Sequence, residues 1–143
     1  MQVRIKRLND NARIPEYASA GAAGADLYNA GGDVVIASGE SAGIPTGIAI
    51  EIPEGYVGLV YARSGLACKE GLAPANKVGV IDSDYRGEIK VFLFNHSGAA
   101  RTVTAGERIA QLVIAPFLHC EFTEGEMSET KRGEGGFGST GKK

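Results

Sequence analysis

The residues best equipped for chemistry lie in five short stretches. They are Asp26 in AGADLYNA, Arg63-Ser64-Gly65 in ARSGLA, Asp82 and Tyr85 in NKVGVIDSDYRGEIKV, Gln111 in GERIAQLVIAP, and Arg132 with Phe137 in the terminal RGEGGFGSTGKK. Asp82 directly follows the apolar VGVI, so it is expected at the buried end of a strand. A carboxylate there is costly unless it is paired or used. Ionised and partly shielded, Asp82 is suited to act as a general base on water. The plainer alternative is a solvated hairpin tip, where Asp is common and an aromatic is incidental. Asp84, two positions on, is expected to share a face with Asp82 and repel it, which turns one of them outward.

In ARSGLA a strand ending in Arg63 runs into Ser64, a fair cap for a short helix over 64–71 with Gly71 as its stop. Helix N-termini present unpaired N–H groups and partial positive charge. Arginine, hydroxyl and close-approach glycine together suit phosphate, although the triplet by itself is a weak signal and favours an ordinary cap beside a surface arginine. Gln111 interrupts an apolar strand, so its amide needs partners: a structural hydrogen bond or a ligand oxygen. His96 stands alone, and His119 and Cys120 are expected on a strand facing opposite ways, so zinc is not indicated. Magnesium held mainly by substrate phosphates requires few protein ligands. Asp26, at a strand start, is suited either to orient such an ion's waters or merely to cap a turn.

These residues need elements to hold them, and the chain offers short strands. VRIKRL (3–8), ADLYNA (25–30), VVIAS (34–38), GIPTGIAIEI (43–52), YVGLVYAR (56–63), KVGVID (77–82), GEIKVFLFN (87–95), RTVTA (101–105) and RIAQLVIAPF (108–117) recur between turn signals. Pro53-Glu54-Gly55 and Gly106 mark turns, and Ser83-Asp84-Tyr85-Arg86 reads as a hairpin tip. Such spacing predicts an all-β sandwich or barrel with one short helix. VFLFN (91–95) and LVIAPF (112–117) are apolar at consecutive positions, which predicts burial on both faces and favours an oligomer. One domain over 1–123 and a glycine-rich tail over 124–143 are expected.

Composition narrows the classes. The 143 residues carry a net charge of −2, so no general affinity for nucleic acid or membrane surfaces is implied. An anionic ligand would have to be met by local arginines or a metal. The N-terminal segment has no signal-like apolar stretch, and two cysteines make no disulfide framework, which points to a cytoplasmic protein. The 21 glycines indicate tight turns.

Taken in order, the five stretches resemble the five motifs of the trimeric deoxyuridine triphosphatases (dUTPases), from about Ala22 to Gly141. The resemblance implies a β-clip, or distorted jelly-roll, subunit in a homotrimer with active sites at subunit boundaries. It implies Mg²⁺-dependent hydrolysis of dUTP between the α- and β-phosphates, giving dUMP and pyrophosphate. By motif, Asp82 is similar to the carboxylate that activates water. Tyr85 is similar to the residue that packs on deoxyribose and excludes a 2′-hydroxyl. Asn76, Val80, Ile81 and Lys90 fall where the uracil is read. Arg63, Ser64, Gly65 and Gln111 match phosphate contacts, and Asp26 the partner of magnesium-bound waters. Arg132 matches the tail's γ-phosphate arginine and Phe137 its uracil-stacking aromatic, followed by Gly138 and Ser139. Ala62 stands where the family usually has proline, which removes no chemical group.

The tail presents an energetic problem. Ordering about ten residues costs on the order of 10 kcal/mol of backbone entropy. Stacking of Phe137 on a base returns about 1–3 kcal/mol. Closure therefore requires charge-assisted bonds from Arg132 and the N–H and hydroxyl groups around Gly138 and Ser139. A lid that orders only over a full triphosphate is expected. The competing readings are a dCTP deaminase of the same superfold, a β-barrel that binds single-stranded nucleic acid through Tyr and Phe, and a regulatory binding protein. The first lacks this tail, and the second needs a basic groove.

Overall fold

The computed structural model describes residues 1–136. Eleven strands are described: β1 (Arg4–Arg7), β2 (Glu16–Tyr17), β3 (Ala25–Tyr28), β4 (Val34–Ile36), β5 (Ser41–Glu51), β6 (Tyr56–Tyr61), β7 (Leu72–Pro74), β8 (Gly79–Ile81), β9 (Glu88–Asn95), β10 (Arg101–Val103) and β11 (Arg108–Pro116). They form a four-stranded sheet in the order β1-β5-β9-β7, a five-stranded sheet in the order β2-β3-β11-β6-β8, and the pair β10-β4. All pairings are antiparallel. The all-β class expected from the strand spacing is therefore the fold observed. Among the described residues no helix is long and apolar enough to cross a membrane.

The core joins the sheets through one apolar cluster. Ile44, Ile48, Ile50 and Leu93 come from the four-stranded sheet, and Leu27, Val60, Ile109 and Leu112 from the five-stranded one. Strand periodicity explains the first set: β9 alternates, with Ile89, Val91, Leu93 and Asn95 inward. Asn95 is fully buried, and its amide donates to the Ile36 and Ala99 carbonyls at 2.9 and 2.8 Å. An uncompensated amide there would be costly, so this bond set secures the β9 end.

Three expectations are corrected. Strand β9 is not buried on both faces: Phe92 is 56% exposed, and Phe117 after β11 is 42% exposed. An apolar run implies two-sided burial only when something covers the second face, and within one chain that face is open. The segment 77–95 is not a hairpin. Strand β8 pairs with β6, whereas β9 pairs with β5 and β7. The turn after Ile81 therefore carries the chain from one sheet to the other, and local turn chemistry cannot distinguish those routes. The expected short helix forms, Ser64 and Gly65 running into a π-helical turn, Leu66–Glu70, closed by Gly71 at φ 71° as anticipated. Ser64 does not cap it: it stands inside the helical segment, and no side-chain cap bond is made.

Regular structure ends at Pro116, and residues 117–136 contain neither strand nor helix.

Candidate active site

The segment 72–95 crosses between the sheets twice, from β7 to β8 and back to β9. A cavity of about 210 Å³ lies at this double crossing, where the edge strands β7 and β8 meet. Asn76, Gly79, Val80, Ile81, Asp82, Tyr85 and Lys90 line it, over a floor that includes Val60, Ile89 and Val91. Because β8 bonds only to β6 among the described residues, its outer edge there leaves backbone donors and acceptors without a strand partner. Such an edge can read a planar heterocycle by hydrogen bonds.

Two turns frame the cavity. In the first, Val78 N–H donates to Asn76 O at 2.7 Å, with Lys77 at φ 65°. This is a positive-φ γ-turn, a strained form for a residue with a side chain. In the second, the Tyr85 hydroxyl donates to Glu88 O at 3.0 Å, which lays the ring over Gly87. A β-carbon on Gly87 would overlap that ring, so glycine is required there. Glu88 in turn accepts from Gly47 N–H at 3.0 Å through its carboxylate, tying the pocket to the bulge in β5. Lys90 is exposed, with Nζ 3.8 Å from Glu88 Oε2.

Asp82 departs from expectation. It is exposed: its backbone carbonyl accepts from Tyr85 N–H at 3.2 Å, and among the described residues its carboxylate has neither hydrogen bond nor ion pair. The strand ends at Ile81 on the sheet edge, so the next residue projects into water and its charge stays solvated. Asp84 is likewise exposed, so no shielded repulsion between the two exists within the chain. A solvated, unpaired carboxylate at a pocket rim remains available to accept a proton from water.

The phosphate candidates gather elsewhere. Asp26 lies within β3 rather than in a turn, and it is 3% exposed. Its Oδ1 accepts from Arg63 Nε at 3.0 Å and its Oδ2 from Arg108 Nη1 at 3.2 Å. Arg63 also donates to the Arg108 carbonyl at 3.4 Å. Gln111 stands opposite Asp26 on one side and Tyr61 on the other. It is half-buried, and no side-chain hydrogen bond holds it among the described residues. Its amide is thus open to a ligand. Ser64 and Gly65 are exposed beyond Arg63. Arg108 escaped the sequence reading because it opens a strand after a turn, where arginine is ordinary.

None of Asp26, Arg63, Ser64, Gly65, Arg108 or Gln111 lines the cavity. Strands β3 and β8 are three places apart in their sheet, about 14 Å at the usual strand spacing. Arg132 stays on its own turn, its Nε donating to Gly135 O at 2.6 Å. Phe137, Gly138 and Ser139 lie outside the described residues. Among the described residues no group of three His, Cys, Asp or Glu could hold a metal ion. His119 and Cys120 follow the last strand rather than occupying one, and Cys68 and Cys120 are exposed free thiols.

Comparison with known proteins places this geometry in a lineage. The family model described as dUTPase matches residues 10–141. The deoxyuridine 5′-triphosphate nucleotidohydrolase of Nautilia profundicola is 53% identical, over 99% of this chain and 100% of its own length. That of a Hydrogenobaculum species is 50% identical over the full length of both. Among solved structures, the dUTPase of Staphylococcus bacteriophage 80alpha (a G164S mutant with dUpNHpp) superposes with a TM-score of 0.89 at 34% identity, covering 98% of each chain. A phage phi11 dUTPase mutant described with a structural Mg(II) ion gives 0.79 at 31% identity, over 89% of this chain and 98% of that one. With its pocket between edge strands and its arginine–carboxylate cluster on the same scaffold, this chain belongs to the dUTPase family.

Proposed function

We propose that this chain hydrolyses dUTP to dUMP and pyrophosphate, with water activated by Asp82 attacking the α-phosphate. The observation that carries the reading is the cavity that unites Asn76, Val80, Ile81, Asp82, Tyr85 and Lys90. Its open β8 edge offers backbone groups to a uracil, with Asn76 assisting and Lys90 at the wall. Tyr85, fixed by its bond to Glu88 O, presents a ring to the sugar and leaves no space for a 2′-hydroxyl. Asp82, at the same rim, takes the proton of the attacking water. Such activity lowers dUTP and furnishes dUMP for thymidylate synthesis.

The reaction also needs positive charge on the polyphosphate, and among the described residues the cavity's own wall offers only Lys90. Arg63, Ser64, Gly65 and Gln111 lie apart from the cavity on the same chain. A homotrimer in which neighbouring chains complete one another's sites reconciles the two, and cyclic packing would cover the open face of Phe92. Arg132 and Phe137, with Gly138 and Ser139, would close over the γ-phosphate and base from the tail. The donor set fits a magnesium ion carried chiefly by substrate phosphates and water, since the described residues include no carboxylate cage. Asp26 would accept from that ion's waters with the lone pairs its two arginines leave, and the ion would neutralise phosphate charge during attack. The exposed free thiols suit a cytoplasmic setting.

Asp82→Asn tests the reading. Binding of a non-hydrolysable dUTP analogue should persist while kcat falls by about 10²–10⁴-fold or more. A variant that retains full turnover would remove Asp82 from the chemistry.

A further inference from the structure

We infer that Arg108 is a second polyphosphate-binding residue, held beside Arg63 by their shared contact with Asp26. This rests on the dUTPase reading and assigns a residue that the motif resemblance did not.

Gln111 faces Asp26 and Ala110 faces Leu27, but the pairing then shifts, so that Arg108 faces Tyr28. One extra residue, Ile109, occupies β11 at this bulge. In a regular ladder Arg108 would point to the opposite face from Asp26 and Gln111, because side chains alternate. The bulge reverses its direction and puts it on their face, a recognised use of bulges beside functional sites. Burial agrees: Ile109 and Ala110 are both fully buried in succession, while Arg108 emerges half-exposed.

The contacts then show what the reversal achieves. Asp26 is one buried carboxylate with a guanidinium on each oxygen. One cation would suffice to compensate its charge. The second leaves the trio with a surplus positive charge in a chain whose net charge is −2. A half-exposed ion pair adds little to stability, so packing gives Arg108 small reason to be there. Among the described residues, Arg108 commits only Nη1 to a partner, which leaves Nε and Nη2 for a ligand. Arg63 commits Nε to Asp26 and Nη1 to a carbonyl. Two forks pre-oriented by one carboxylate, with the open Gln111 amide opposite Asp26 on the same face, form a cradle for adjacent phosphates.

The test uses the full-length protein and its Arg108→Gln and Arg108→Lys variants. Affinity is measured for a non-hydrolysable dUTP analogue and for deoxyuridine, which has no phosphate. Arg108→Gln should weaken the analogue by about 10- to 100-fold and leave deoxyuridine binding and the melting temperature unchanged. Arg108→Lys should recover part of the loss, since it restores charge without the fork. Unchanged analogue affinity in Arg108→Gln overturns the inference, as does an equal loss for deoxyuridine in both variants, which would mean general damage. Wild-type dUTP turnover is recorded on the same preparations. Its absence would count against the dUTPase reading, whereas the analogue-to-deoxyuridine ratio judges Arg108 alone.

Discussion

At the scale of single residues, the account separates groups that do chemistry from groups that shape space. Tyr85 belongs to the second kind: its hydroxyl is engaged by Glu88 O and its ring rests over Gly87. Tyr85→Ala should therefore admit UTP, and the ratio of kcat/KM for dUTP over UTP should fall toward unity. A ratio that stays at the wild-type value would show that the ribose is rejected elsewhere. Asp26 has a structural share as well. Asp26→Asn leaves two guanidiniums without their counter-ion, and because both are partly solvated the loss should be about 1–2 kcal/mol. Urea unfolding would measure it, with no change counting against the clamp. Residue types alone marked Asp26, Arg63, Asp82, Tyr85 and Gln111 as candidates. They did not disclose that Asp26 carries an arginine on each carboxylate oxygen or that Asp82 is solvated, since both depend on strand register and sheet edges.

At the scale of elements, the β5 irregularity between Pro45 and Ala49 anchors the pocket through Glu88. Gly47 sits there at φ 66°, and a β-carbon would come within 2.9 Å of Ala12 Cβ, Ala30 Cβ and Asn9 Nδ2. Gly47→Ala combines backbone strain with overpacking and should cost about 2–4 kcal/mol. Calorimetry would register it, and a neutral substitution would mean that the bulge is pliable. The positions of nine strands were legible because alternation and turn residues agree locally. The two-residue β2 and the three-residue β7 were too short to show a period. Pairing was less legible. Turns such as Pro53-Glu54-Gly55 and Asp82–Gly87 look the same whether the chain reverses within a sheet or crosses to the next. The bulge in β11 was invisible for a related reason: Ile109 and Ala110 read as ordinary apolar neighbours until the partner strand is known.

At the scale of the molecule, one chain holds the proposed uridine pocket and the arginine cluster on separate parts of its surface. The proposed site shared between chains would account for that division and would also give the exposed Phe92 face a role. Removing residues 132–143 should lower turnover sharply and leave the melting temperature nearly unchanged, because Arg132, Gly133 and Glu134 are exposed and stand outside the apolar core cluster. A truncated protein that no longer assembles would assign the tail to architecture instead. Hydrogen exchange on residues 132–141 should show protection with a non-hydrolysable triphosphate and little with dUDP, and equal protection would refute the lid. The most direct test of the whole account is pyrophosphate release from dUTP, dCTP, dTTP and UTP, each with magnesium. The account predicts rapid release from dUTP and negligible release from the other three. Intact dUTP, or UTP cleaved as fast, would contradict it.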